Sequence, residues 1–256
     1  MVKKSTFPGV ILFMVVMPVV AFAQPPVGKD AQSLLSAFMS YTDLRMKSVQ
    51  QSLEVLAATS EVKSGQWETM KGLVELYQKL DGKLVVWYVL PDGRYYTADK
   101  GLMDVKLSDR SYFPDLMAGK KIAGSLVVSK STGQRSAVTA IPIEQGGKVV
   151  GGIGVSLFLD KLADDVNSVL GLRPELAFFA LAPGGRTTLH RNTDRHFLDP
   201  RELGSETLKK AVNEMLSKDA GEVTYFFDNV DKEVIYRTSP LTGWKFAITF
   251  SAAGQK

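Results

Sequence analysis

The segment Ser108-Asp109-Arg110-Ser111-Tyr112-Phe113 sets a carboxylate, a guanidinium and two aromatic rings side by side. An arginine in that company has two uses. It can pair with Asp109 while Ser108 and Asp109 cap the short helix predicted over the following YFPDLMAG. Alternatively it can hold a ligand's carboxylate, because its planar fork offers two parallel hydrogen bonds. Tyr112 and Phe113 read as anchors of this loop to a sheet.

Other reactive types are sparse. His190 and His196 are the only histidines, and both lie in LHRNTDRHF near Asp194 and Asp199. Their spacing of six suits no single helix face, and the surrounding arginines oppose a cation, so no metal site is expected. Gly151, Gly152 and Gly154 lead into a strand-like run rather than a helix, which excludes a phosphate loop. No G-x-S-x-G elbow is present to support a hydrolase. The chemistry available is binding, with no enzyme activity and no cofactor expected.

Composition narrows the setting. Lys3 and Lys4, an apolar run from Phe7 to Val20 and Ala21-Phe22-Ala23 read as a secretory signal peptide over 1–23, cleaved after Ala23. The run is short for a bilayer span and holds Pro8 and Pro18. The expected product is periplasmic or secreted. The leader holds two lysines and no acid, so the rest of the chain carries +2 rather than +4. That near balance gives no reason to expect nucleic acid, which needs clustered cations. The absence of cysteine excludes disulfides and thiolate metal sites.

The elements that would position Arg110 follow from periodicity. Between Lys29 and about Ser60 there is no Pro or Gly, and Leu35, Met39, Thr42, Met46, Val49, Leu53 and Leu56 recur at alternating spacings of four and three. This predicts one long amphipathic helix, seated on the rest of the chain or on the same helix of a second copy. A second helix places Trp67, Met70, Leu73, Val74, Tyr77 and Leu80 inward. From Leu84 the texture is that of about five antiparallel strands cut by turns at PDG, STG and EQGGK. An amphipathic helix over LDKLADDVNSVLGL leads out, and the order of elements then repeats: Pro183, Gly185 and Arg186 follow Pro91, Gly93 and Arg94 at an offset of 92. The predicted class is α+β. It has two helices over 24–82, a first antiparallel-sheet module over 83–170 and a second over 171–256.

The wording YVLPDGRYYT, LSDRSYF, LVVSKSTGQ, AIPI and GGKVVGGIGVSLFLDKL resembles the Cache family of extracytoplasmic sensor domains, in its double form. The resemblance is strong over 84–165 and weaker, though supported by SPLTGW, in the second module. It implies two PAS-like modules on a long helix, with a small molecule bound in the first, membrane-distal-type module. Family members are usually receptor ectodomains joined to a transmembrane helix and a signalling output. Because this chain ends at Lys256, it is similar to the exported stand-alone members, for which a separate membrane receptor or kinase partner and a homodimer through the N-terminal helix are the expected associations.

In the amino-acid-binding branch of that family, an R-x-aromatic-aromatic element holds the ligand carboxylate, and it falls here on Arg110, Tyr112 and Phe113. The tyrosine and two aspartates that hold the ammonium fall on Val127, Ser129 and Ser156, so both carboxylates are missing. A buried ammonium without a counter-charge costs several kcal/mol, roughly, while Arg110 and Lys130 favour an anion. The implied ligand-binding set is Arg110, Tyr112, Lys130, Ser129, Ser156, Trp87, Tyr96 and Thr139, and the implied ligand a short carboxylate. The alternative is an interaction or structural protein without a ligand.

Overall fold

A computed structural model describes residues 27–251; the leader expected over 1–23 lies outside the described residues. The uninterrupted stretch forms α1, Val27–Ala58. It buries Leu35, Phe38, Thr42, Met46, Val49 and Leu53, with Met39 and Leu56 partly covered. The seam packs on the chain's own sheets: the Phe38 ring lies 4.9 Å from Phe178 and 4.8 Å from Phe246. A single turn, α2 (Ser60–Lys63), capped by the Thr59 hydroxyl, leads to α3, Trp67–Leu80. Trp67, Met70 and Val74 are buried, but Leu80, expected inside, is 78% exposed. The buried stripe steps by three and four through Trp67, Met70, Val74 and Tyr77, which leaves position 80 off its line.

The first sheet comprises β1 (Leu84–Val89), β2 (Tyr95–Thr97), β3 (Gly101–Leu102), β4 (Ile122–Val128), β5 (Arg135–Gln145) and β6 (Lys148–Phe158), with α4 (Phe113–Met117) between β3 and β4. Its order is β3-β2-β1-β6-β5-β4, all antiparallel, one strand more than the sequence suggests because β3 is only two residues long. After α5 (Leu159–Leu170) come β7 (Leu176–Leu181), β8 (Thr187–His190), α6 (Glu206–Ser217), β9 (Ala220–Phe227), β10 (Val230–Thr238) and β11 (Lys245–Ser251). Their order, β8-β7-β11-β10-β9, repeats the first sheet without β3. The architecture is therefore α+β, a long helix followed by two antiparallel sheets. One face of both sheets joins α1, α3 and α5 in a common core, and the other face of each carries a small cluster of its own.

The repeated turns match in detail. Gly93 N–H donates to Leu90 O and Leu90 N–H to Arg94 O; Gly185 N–H donates to Ala182 O and Ala182 N–H to Arg186 O. Both glycines have positive φ, +84° and +95°, a conformation glycine adopts at no steric cost.

Strand parity decides which side chains reach which face. The Pro91-Asp92-Gly93 turn pairs Val89 with Tyr95, so Tyr95 shares the face of Trp87 and Val89. A turn shorter by one residue would have put Tyr96 there. On β5, Glu144 pairs with Val149 but Ile143 with Gly151, a bulge that shifts the register by one. Thr139 consequently sits opposite Val155 on the helix side, and without the bulge it would sit opposite Gly154 on the other.

Candidate ligand-binding site

The outer face of the first sheet holds a pocket lined by Trp87, Tyr95, Leu107, Arg110, Tyr112, Val127, Ser129, Lys130, Ser131 and Ser156. Six of the eight residues assigned from sequence converge there. Tyr96 and Thr139 do not, for the parity reasons above: Tyr96 stacks on Trp67 at 5.0 Å and Thr139 is buried on the helix side. Three lining residues escaped the sequence reading. Tyr95 was within reach of it, because counting three residues in the PDG turn places it opposite Val89.

The loop carrying Arg110 is fixed at both ends. Gly93 accepts the N–H of Leu107, and a Cβ at Gly93 would come within 2.7 Å of Ser108 Cβ, so the turn and the loop are in direct contact. Two successive turns, Arg110 N–H to Leu107 O and Phe113 N–H to Arg110 O, then aim the side chain at the end of β4. Arg110 donates to the carbonyl of Val128 at 2.6 Å. Among the described residues it forms no ion pair. Asp109 instead binds Lys130, whose Nζ donates to both carboxylate oxygens at 2.7 and 2.8 Å and to Lys106 O at 2.6 Å. Asp109 therefore does not pair with Arg110. Neither it nor Ser108 caps α4, whose N-cap residue is Tyr112 and which has no side-chain cap. Hydrogen bonding from Lys130 holds the Asp109 carboxyl below its ordinary value.

Inside the pocket the Trp87 and Tyr112 rings stack at 6.1 Å. Burial pushes the Tyr112 phenol well above its usual value, with Arg110 pulling the other way. The Tyr95 phenol shifts in the same direction for the same reasons, so both stay neutral donors at pH 7. Tyr95 is 2% exposed, and its hydroxyl has no hydrogen-bond partner. A buried hydroxyl left so costs about 1–3 kcal/mol, which a ligand acceptor would recover. Ser129 and Ser131 share one bond at 3.1 Å. No acidic residue lines the pocket, and its free room is about 10 Å³, scarcely one water.

Gly152 and Gly154 have a packing task. A Cβ at Gly154 would lie 2.4 Å from Trp87 Cζ2, and one at Gly152 would lie 2.8 Å from Leu116. Gly154 lets the Trp87 indole of the pocket approach β6 closely, and Gly152 does the same for Leu116 of α4.

No protein-family model matches the chain. Among solved structures, the chain overlays the isoleucine-bound sensory domain of the Campylobacter jejuni chemoreceptor Tlp3 with a TM-score of 0.64. That match has 16% identity and covers 88% of this chain and 92% of that one. The extracellular domain of a histidine kinase, rpHK1S-Z16, gives 0.73 at 15% identity, covering 88% and 94%. This is the double-Cache fold. A curated relative, the methyl-accepting chemotaxis protein McpB of Bacillus subtilis, is 27% identical over 142 residues, 55% of this chain and 20% of McpB. The chain thus spans about a fifth of that protein. Among the described residues of the Cache fold here, no helix is long and apolar enough to cross a membrane.

His190 and His196, weighed above as metal ligands, are structural partners. His190 N–H donates to His196 Nε2 at 3.1 Å, and His196 Nδ1 meets Asp160 of α5 at 2.8 Å. Asp160 also faces Arg135 of β5, which ties the second sheet to the first.

Proposed function

We propose that this chain is an extracytoplasmic sensor module that binds a small carboxylate in the pocket of its first sheet. The observation that carries the reading is one of charge. Arg110, Lys130 and the unpartnered Tyr95 hydroxyl meet in a pocket with no acidic lining residue. A carboxylate would replace the Val128 carbonyl on the Arg110 fork and accept from Tyr95. Tlp3 structures carry isoleucine or valine. An amino acid would bring an ammonium into this pocket with nothing to neutralise it, at a cost of several kcal/mol, roughly. The fitting ligand is acidic and lacks an amine.

Because the pocket is closed to about one water, entry requires the Lys130–Asp109 pair and the Arg110–Val128 bond to part. Occupancy thereby changes how the 103–112 loop sits against β4. A separate membrane receptor or kinase would read that change, or a second copy would, across the outer face of α1, where Leu44 and Val55 are exposed. The same closure supports a second reading, an interaction module that holds no ligand.

A melting screen with acetate and longer carboxylates, amino acids, amines and divalent metals separates them. A ligand at a hundred times its Kd stabilises by about 2.7 kcal/mol. The carboxylates should raise the melting temperature, and Arg110→Ala should abolish the rise without unfolding the chain. Carboxylate affinity retained within about twofold in that variant would assign Arg110 a structural role only. No shift with any small molecule would leave the interaction module.

A further inference from the structure

The second sheet has a pocket at the same place as the first. It is lined by Phe179, Thr187, His190, Tyr225 and Phe227 from the strands, Arg195 beside them, and Leu198, Pro200, Leu203, Leu208 and Val212 around them. Register makes the correspondence explicit. Trp87 pairs with Gly154 as Phe179 pairs with Ala247, and Val89 pairs with Tyr95 as Leu181 pairs with Thr187. Val138 lies between Ser125 and Ser156 as Val234 lies between Val223 and Thr249. Two residues on, Val127 therefore matches Tyr225, and Ser129 matches Phe227.

We propose that this is a second ligand site, for a flat or branched apolar molecule bearing one carboxylate or other acceptor group. Three observations shape the ligand. The walls are aromatic, with free room of about 40 Å³ against about 10 Å³ in the first pocket. His190 Nδ1 accepts the Asn192 N–H at 2.8 Å, which leaves the hydrogen of the neutral ring on Nε2 as a donor. At the rim Arg195 lies 5.1 Å over the Phe227 ring and only 3.5 Å from Asp228, a loose and exposed pair that a ligand anion can replace.

The backbone beside the pocket is strained in a way that serves it. Phe197 has φ +71°, unusual for a bulky residue. Its N–H donates to Thr187 O while Thr187 N–H donates to Leu198 O, which pins the backbone of Leu198, a lining residue, against β8. Strain of this kind gathers at ligand clamps.

Benzoate titrated against the full chain, with acetate in parallel, tests the assignment through the melting temperature. Benzoate should stabilise the wild type and Arg110→Ala alike. His190→Ala and Arg195→Ala should each weaken benzoate about tenfold, the loss of one charged or polar hydrogen bond, and leave any acetate response in place. Arg195 is a rim residue, so its variant keeps the test open if His190→Ala folds poorly. No benzoate effect at millimolar concentration overturns the proposal. So does an effect that vanishes with Arg110→Ala and survives both second-sheet substitutions. A benzoate response without an acetate response supports this site and counts against the first-sheet reading.

Discussion

At matched places on their sheets, Trp87, Tyr95, Val127 and Ser129 surround about 10 Å³, whereas Phe179, Thr187, Tyr225 and Phe227 surround about 40 Å³. The difference starts on the central strand. Gly154 has no side chain, so the Trp87 indole drops onto β6 and fills the floor. Ala247, its counterpart, carries a methyl beneath Phe179. The polar groups diverge too. The first pocket sets Arg110 and Lys130 on a tight loop and turn, and the second sets a neutral histidine and one rim arginine among rings. One topology thus supports a small, cationic pocket and a larger, aromatic one, because register fixes the positions and leaves their chemistry free.

Changing that central position should break the contrast most strongly. Gly154→Ala drives a methyl into Trp87 and should cost about 1–3 kcal/mol or more, seen as a lower urea midpoint. Ala247→Gly should cost only about 0.5–1 kcal/mol. Equal losses at the two positions would mean that the Trp87 contact does not set the floor.

Next in size is pH dependence. Burial, helped by Arg195, holds His190 at about 4 against 6.5 in a free histidine. His196 is also lowered, with burial the larger cause and the Asp160 hydrogen bond opposing it. As pH falls through 6.5 the unfolded chain takes up protons that the folded chain refuses, so stability is lost between 6.5 and about 4. For His190 alone the loss from pH 7 to 5 is about 2 kcal/mol. His190 ends β8 and His196 lies in the turn that follows it, so the slope should report the second module. His190→Gln should flatten it, and an unchanged slope would place its origin elsewhere.

The smallest expected effect is at the first pocket's rim. Asp109→Asn frees Lys130 and should tighten carboxylate binding about threefold, by roughly 0.7 kcal/mol, with little change in melting since the pair is exposed. Weaker binding in that variant would show that the pair positions Lys130 rather than competing for it.

Much of this fold was legible in the chain itself. The seam from Leu35 to Leu56, the turns that cut the strands and the 92-residue repeat are all local or periodic signals. They predicted the long helix and two antiparallel sheets, because a buried face must recur every 3.6 residues in a helix and turns need Pro and Gly at set places. The cationic character of the first pocket was legible as well, through Arg110, Lys130 and the two serines. What only the tertiary structure decided was parity and partnership. One residue in a turn and one in a bulge chose Tyr95 over Tyr96 and turned Thr139 to the helix side, since side chains alternate with a period of two and each extra residue reverses every later one. Asp109 went to Lys130 and not to its neighbour Arg110, because β4 and its turn bring that ammonium within 2.7 Å, a pairing 21 residues apart. The second pocket was invisible for the same reason: Phe179, Tyr225 and His190 come from three strands, and only the sheet puts them together.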